Sequence, residues 1–230
     1  MRKGDIRKQE ILDTAEVLFC RNGYEQTGIQ EILDSLKISK GSFYHHYVSK
    51  EALLEGICRR RAEQIYAAAS AAADREDSAV RNLDILLSGM IPFRDEKLSF
   101  LLMLLPIFRL PEGRMVREQY CDALSDQFRG RVSEVLKRGC SGGDIICDDP
   151  DTVSDLILSA VNRLWVLICG LIIRNEEERS ETDLSECLRL TDCYRMSIER
   201  ILSLPYGSLE LIDIPDLGHL SEQIHNHWKQ

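Results

Sequence analysis

The chain has 230 residues and carries 29 Lys and Arg against 38 Asp and Glu, a formal net charge of −9 at pH 7. That length suffices for one large domain or two unequal ones with a core that needs no disulfides, while the acidity leaves only weak long-range attraction to DNA. The eight cysteines include no CxxC or other close pair, which excludes a zinc knuckle and a thioredoxin motif and leaves reduced, mostly buried thiols as the expectation.

Met1-Arg2-Lys3-Gly4-Asp5 runs straight into an amphipathic segment instead of a secretory signal. The helical spacing of Ile11, Leu12, Ala15, Leu18 and Phe19 predicts a first helix from about Asp5 to Arg21, closed by Asn22-Gly23, which tolerates the left-handed cap. Thr27-Gly28-Ile29-Gln30 has the form of a capping box and starts a second helix near Gly28. Its apolar positions Ile29, Ile32, Leu33 and Leu36 follow the i, i+3, i+4, i+7 pattern, so one face is buried and the helix ends near Lys37. Ser39 caps a short third helix over about Lys40 to Tyr47, and Ser49 caps the next. Isolated helices below ~12 to 15 residues are marginal in water, so the two short ones need the first as a packing partner.

Helix, tight turn through Lys37-Ile38 and second short helix make a helix-turn-helix, over about residues 28–47, whose second helix enters the major groove of DNA. Lys40, Tyr44, His45 and Lys50 fall near helix starts or on one exposed side, where amides, hydroxyls and cations hold phosphates and reach base edges. His46 belongs to the same surface, while Phe43 is assigned to the core against Ile32 and Leu36. Gly41 permits close backbone approach to DNA, a physical reason for a poor helix former at a helix start. Thr27, Ser39 and Ser42 are small hydroxyls that both cap and contact phosphate. The net charge divides in a way that fits: residues 1–61 hold 11 Lys and Arg against 9 Asp and Glu, a net of +2, and the remaining residues a net of −11. Binding then rests on a local basic surface of Arg2, Lys3, Lys40 and Lys50 and is strongly salt-dependent.

Ile11-Leu12, Ala15, Leu18-Phe19, Gly23-Tyr24, Thr27, Ile29, Ile32, Ile38 to Tyr47, Ser49-Lys50-Glu51 and Leu53-Leu54 resemble, in order and spacing, the TetR-type (TetR/AcrR) transcriptional regulators. The resemblance covers about the first sixty residues, in one register. Two positions depart from the pattern: Lys37 stands where the family usually has Gly, and Leu33 where it usually has Ala. A non-Gly residue in a left-handed turn costs ~1 kcal/mol, a tolerable penalty that bears on the tilt of the recognition helix. The resemblance implies that Tyr44 gives its hydroxyl to a phosphate, although its ring can also close the small core. It also implies a homodimer on a pseudo-palindromic double-stranded DNA operator, released by a small-molecule effector.

From Ser49 a long helix runs through Leu53, Leu54, Ile57, Cys58 and Ile65 into Ala67 to Ala73. Further helices are expected from Val80, then at about Glu96 to Phe108, Met115 to Arg138, Thr152 to Arg174 and Asp183 to Leu204, with no alternating strand pattern. The fold class is all-α: an N-terminal three-helix domain (1–61), a larger helical regulatory and dimerisation domain (62–204) and a tail (205–230) that is a short docking segment or partly disordered. Val153, Ile157, Val161, Leu164 and Ile168 form one stripe, and Tyr194, Ile198 and Ile201 belong to another on the next helix. Because the first of these helices is apolar on more than one side, one face is expected inside and the other across a two-fold axis, against the alternative of ordinary monomer core helices.

The apolar run Leu98 to Phe108 lines a cavity or packs as core. Phe100, Met103 and Phe108 are its candidate ligand contacts, with Arg109, Asn162, Arg163 and Trp165 as polar or amphipathic anchors in apolar surroundings. The longest apolar stretches, Leu98 to Leu105 and Leu164 to Ile173, are read as too short to span a bilayer, which with the leaderless start predicts a cytoplasmic protein without a membrane partner. No metal or cofactor is expected. An enzyme is disfavoured because the five histidines, at 45, 46, 219, 225 and 227, avoid the pocket helices. The expected function is a DNA-binding repressor released by a small molecule, the alternative being a helical adaptor that has lost DNA binding.

Overall fold

The computed structural model describes residues 3–93, 95–108, 113–177 and 184–228. Among them every regular element is helical: α1 (Lys3–Asn22), α2 (Ile29–Leu36), α3 (Lys40–Tyr44), α4 (Lys50–Ala73), α5 (Ala79–Met90), α6 (Asp95–Phe108), α7 (Gly113–Gly142), α8 (Pro150–Glu177), α9 (Leu184–Ile201) and α10 (Ile214–Trp228). The all-α expectation holds. Two compact units divide these helices, one of residues 1–62 with 99–123, the other of residues 63–98 with 124–230. Residues 99–123 thus group with the N-terminal helices, whereas a boundary near residue 61 would have left them in the second part. Linear sequence cannot show this, because the segment returns to the first unit only after α5.

In the first unit α1 and α2 pack through Ile11, Phe19, Ile32 and Leu33, all 2% exposed or less, and α4 adds Leu53, Leu54 and Ile57. Glu16 is buried among them, and its carboxylate takes the guanidinium groups of both Arg60 and Arg61 from α4. Breaking one partner from such a buried charge is far more costly than the pair is stabilising. Gly56 lets the Tyr47 ring lie against α4, since a Cβ there would sit 3.2 Å from Tyr47 Cε1. From α6, Phe100 stands edge-on to Tyr120 at 5.6 Å and 5.4 Å from the Arg61 guanidinium.

In the second unit α8 is central, contacted by α5, α9 and α10. Asp149 caps it, accepting from the Asp151 and Thr152 amides at 3.2 and 3.4 Å, and Pro150 occupies the first helical position, where a missing N–H costs nothing. Ser78 caps α5 by accepting from the Arg81 amide at 3.3 Å. Gly89 lets α5 approach α4, because a Cβ would come within 2.6 Å of Ala69 Cβ. The tail that the sequence leaves open is ordered into a strap and α10. Asp84 accepts from the Glu210 and Leu211 amides at 2.8 and 3.2 Å, and Glu199 accepts from the Leu209 amide at 3.0 Å.

Two expectations need correction on α8. By length and composition, residues 150–175 form one apolar helix long enough to cross a membrane, so the reading of Leu164 to Ile173 as too short took too small a segment. More than half of its most apolar 18 residues are buried inside the fold, against helices of its own unit. The proposed dimer stripe also lies inside: Ile157, Val161, Leu164 and Ile168 are 0% exposed and Ile198 is 1% exposed. Val153 and Tyr194 are half-buried, and Ile201 alone of that set is on the surface. The side of α8 left open carries Leu156, Arg163 and Gly170, one heptad apart, with Val166 and Leu167 half-buried beside them.

Candidate nucleic-acid interface

The turn between α2 and α3 is built by Lys37, whose φ of 52° and ψ of 45° put a non-glycine residue in the left-handed region. Its N–H donates to the Asp34 carbonyl at 3.3 Å and the Ile38 N–H to that of Leu33 at 3.1 Å, which satisfies the carbonyls left over at the end of α2. Ser39 follows as a true cap: its backbone is extended and its Oγ accepts from the Ser42 amide at 3.2 Å. The third helix is shorter than its expected span, ending at Tyr44, with a turn through His45 and His46.

Phe43 is fully buried and anchors this helix, edge-on to Tyr44 at 5.3 Å and tilted to Tyr47 at 6.2 Å. With Phe43 facing inward, Ser39, Lys40, Gly41, Tyr44 and His45 are exposed together, and Ser42 and His46 lie half-buried at the margin. Among the described residues nothing requires a glycine at position 41, where an added Cβ would find only Ser39 Oγ, at 3.9 Å. Glycine inside a helix costs roughly 0.5–1 kcal/mol against alanine. The room at Gly41 therefore opens outward.

Two of the expected contacts are placed elsewhere. Thr27 is fully buried, and its hydroxyl donates to the Gly23 carbonyl at 2.9 Å and the Leu18 carbonyl at 3.3 Å. The capping box does not form: Gly28 is the N-cap without a side-chain bond, and Gln30 turns forward to Asp34 at 2.7 Å. The reason is that α1 ends at Gly23 (φ +88°) with carbonyls to satisfy, and Thr27 is nearer to them than to the start of α2. Lys50 likewise turns inward, its ammonium 4.1 Å from the Tyr24 ring centroid, and this burial lowers its pKa.

In their place the structure brings up Arg7 and Lys8 from α1. The His45 and His46 rings meet edge-on at 5.0 Å, and His46 is pushed below its ordinary pKa by partial desolvation, then by His45, Lys8 and Arg7. Lys8 Nζ also stands 5.9 Å from the Tyr47 ring. Burial raises the Tyr47 hydroxyl to about 12. Arg7-Lys8 is visible in the sequence as a basic pair early in α1, but only the fold sets it beside the end of α3. Arg2 lies outside the described residues, as does the side chain of Lys3.

The candidate ligand contacts fall in different units. Phe100 and Met103 are buried in the first, Phe108 is half-buried, and Arg109 lies outside the described residues. In the second, Trp165 is fully buried and donates through Nε1 to Asn162 Oδ1 at 3.1 Å, while Asn162 Nδ2 donates to Ser125 Oγ at 2.9 Å. These polar groups are tied to one another. Arg163 is exposed on the outward side of α8, away from the apolar surroundings in which it was read as an anchor. Among the described residues, no group of three His, Cys, Asp or Glu could hold a metal ion.

Fold and site together define a helix-turn-helix protein with a helical body. Residues 11–57 match the family model of bacterial regulatory proteins, tetR family. The HTH-type transcriptional regulator YerO of Bacillus subtilis is 31% identical over 128 residues, 50% of this chain and 40% of that protein. The chain spans less than half the length of the curated relatives it matches. Among solved structures, a TetR-family transcriptional regulator from Pectobacterium atrosepticum superposes with a TM-score of 0.64 at 15% identity, over 89% of this chain and 99% of that one. The transcriptional regulator FadR from Bacillus subtilis, solved in complex with stearoyl-CoA, does so with a TM-score of 0.54 at 15% identity, over 85% and 97%. At such identities these likenesses show the shared fold. Residues 11–57 thus match the tetR-family helix-turn-helix, and the chain shares its fold with solved TetR-family regulators.

Proposed function

We propose that this protein is a sequence-specific, DNA-binding transcriptional regulator, acting as a repressor that a small molecule releases from its operator. The observation that carries the reading is the split of α3: Phe43 is fully buried beneath it, while Lys40, Gly41, Tyr44 and His45 share one exposed face with no structural need for the glycine. Backbone amides, a phenol and a cation on one face suit phosphate positioning and base-edge readout. The relatives named as transcriptional regulators support regulation over catalysis.

A homodimer in the cytoplasm belongs to the same proposal, with the corrected side of α8 as its surface. Leu156 is 54% exposed there and Ile201 of α9 is 38% exposed, apolar area that a two-fold partner removes from water. Light scattering on a gel-filtration peak is expected to give twice the chain mass at micromolar concentration, and a monomer would overturn the dimer.

The bound stearoyl-CoA in FadR supports a largely apolar effector here. Such an effector favours one spacing of the two DNA readers and shifts the population away from DNA. Ligands that raise thermal stability while leaving operator affinity unchanged would remove this part of the proposal. For the DNA reading itself, the test is a mobility shift with the upstream region of its own gene at two salt concentrations. Tyr44→Ala with His45→Ala is expected to abolish the shift and leave the oligomer intact. A wild-type chain that shifts no DNA even at low salt would favour the adaptor reading instead.

A further inference from the structure

Cys140 and Cys147 are seven residues apart, too far for a CxxC motif, yet their Sγ atoms lie 3.4 Å from each other. The turn that leaves α7 brings them there. Gly143 takes a φ of +80°, and the Asp144 and Ile145 amides both donate to the Gly139 carbonyl, at 3.0 and 3.2 Å. Ile145 folds back onto Gly139, where a Cβ would sit 2.6 Å from Ile145 Cδ1, and the Ile146 amide is held by the Leu202 carbonyl at 3.0 Å. The two thiols are therefore presented by a fixed turn, at a distance that small side-chain rotations reduce to the about 2.0 Å of a disulfide.

We propose that Cys140 and Cys147 are a hydroperoxide-reactive dithiol that closes reversibly to an intrachain disulfide. Both are half-buried, in a turn whose residues Ser141 to Asp144 and Ile146 are exposed, so a small oxidant reaches them. Asp148 and Asp149 place negative charge beside Cys147, which disfavours an anionic disulfide as oxidant and favours a neutral hydroperoxide. Burial, then the hydrogen bond with Cys140, then nearby carboxylates push the Cys147 thiol up to about 11. Cys140, held in the last turn of α7, is the attacking thiol, and Cys147, outside any helix, is the one that moves to it. The Cys140 sulfur bonds to one peroxide oxygen, the O–O bond breaks, and the other oxygen leaves as an alcohol (water, for hydrogen peroxide) with the proton of the thiol. Cys147 sulfur then attacks the sulfenic sulfur, the S–O bond breaks, and that oxygen leaves as water with the Cys147 proton. Two thiols are oxidised, one hydroperoxide is reduced, and an added thiol reductant reverses the bond.

The site is independent of the DNA reading and is tested without DNA. Trypsin releases both cysteines in one peptide, residues 139–163, which holds no other. After hydrogen peroxide treatment of the reduced full chain, that peptide is expected to lose about 2 Da and both alkylatable thiols, and to regain them with dithiothreitol. Cys147→Ser is expected to abolish the mass loss and leave a sulfenic acid at Cys140 that dimedone traps. Cys140→Ser is expected to abolish both, and Cys193→Ser, which removes an exposed cysteine elsewhere, to change nothing. A peptide 139–163 that keeps both thiols while Cys193 oxidises would overturn the proposal, as would disulfides that link Cys140 or Cys147 to any other cysteine.

Discussion

The Lys50 ammonium lies 4.1 Å from the centroid of the Tyr24 ring, packed inside the N-terminal unit instead of on its open face. A cation held this way contributes about 0.5–1 kcal/mol through the ring quadrupole. Lys50→Met is therefore expected to lower stability by about that amount in denaturant unfolding, with little change in the slope of log affinity for operator against log salt. Lys40→Ala, on the exposed face, is expected to do the reverse and reduce that slope by about one. A large slope change for Lys50→Met would return Lys50 to the phosphate surface.

Binding to DNA is expected to strengthen as pH falls. His46 is held below its ordinary 6.5 by partial desolvation, then by His45, Lys8 and Arg7, so the free protein carries it neutral at pH 7. A phosphate at that face favours the charged ring, the complex binds more protons than its parts, and lowering the pH favours the complex. For folding of the free protein the sign is opposite, because the unfolded chain binds the proton more readily: that contribution is present above 6.5 and lost as pH falls through the lowered value. Affinities measured between about pH 8 and about pH 5.5 should rise toward acid, and His46→Gln should flatten the rise.

Neighbouring residues in α3 are expected to separate stability from binding. Phe43→Ala empties a fully buried site and should cost about 3–5 kcal/mol in unfolding. Tyr44→Phe changes a ring that is 49% exposed, and should leave stability unchanged while weakening operator binding roughly five-fold, the loss of one hydrogen bond of ~1 kcal/mol.

The turn can be tested from both sides. Lys37→Gly relieves a left-handed non-glycine residue and should stabilise the protein by up to ~1 kcal/mol. Ser39→Ala removes the side chain that accepts from the Ser42 amide and should cost ~1 kcal/mol. Thermal melts of the two single variants and the double variant measure each effect and their coupling.

Asp84 holds the strap before α10 by accepting from the Glu210 and Leu211 amides. Asp84→Ala leaves both amides without that acceptor and should cost about 1–3 kcal/mol. Amide hydrogen exchange should show protection lost first at Glu210 and Leu211, ahead of global unfolding.

The parts that could be read in advance are those set by short-range chemistry. The caps at Ser39 and Ser49, the left-handed turn at Lys37 and the inward Phe43 depend on neighbours within four or five residues, and the structure places all of them as the pattern indicates. Thr27 shows the limit of such reading. Its capping-box pattern is genuine, but a hydroxyl can satisfy the end of the preceding helix as well as the start of the next, and the motif alone does not rank the two.

The N-terminal helix-turn-helix and the all-helical class thus follow from the chain's own periodicity and cap chemistry. What covers each face of α8 does not. A helix apolar on several sides carries no label for which side meets a neighbour, and α10, which covers part of it, comes from a tail with no pattern strong enough to announce a helix. The same holds for Arg7 and Lys8 beside His46, and for Cys140 beside Cys147. Each is a meeting of residues whose separation a turn or a helix crossing closes, and such proximity exists only once the hydrophobic core has chosen how the helices pack.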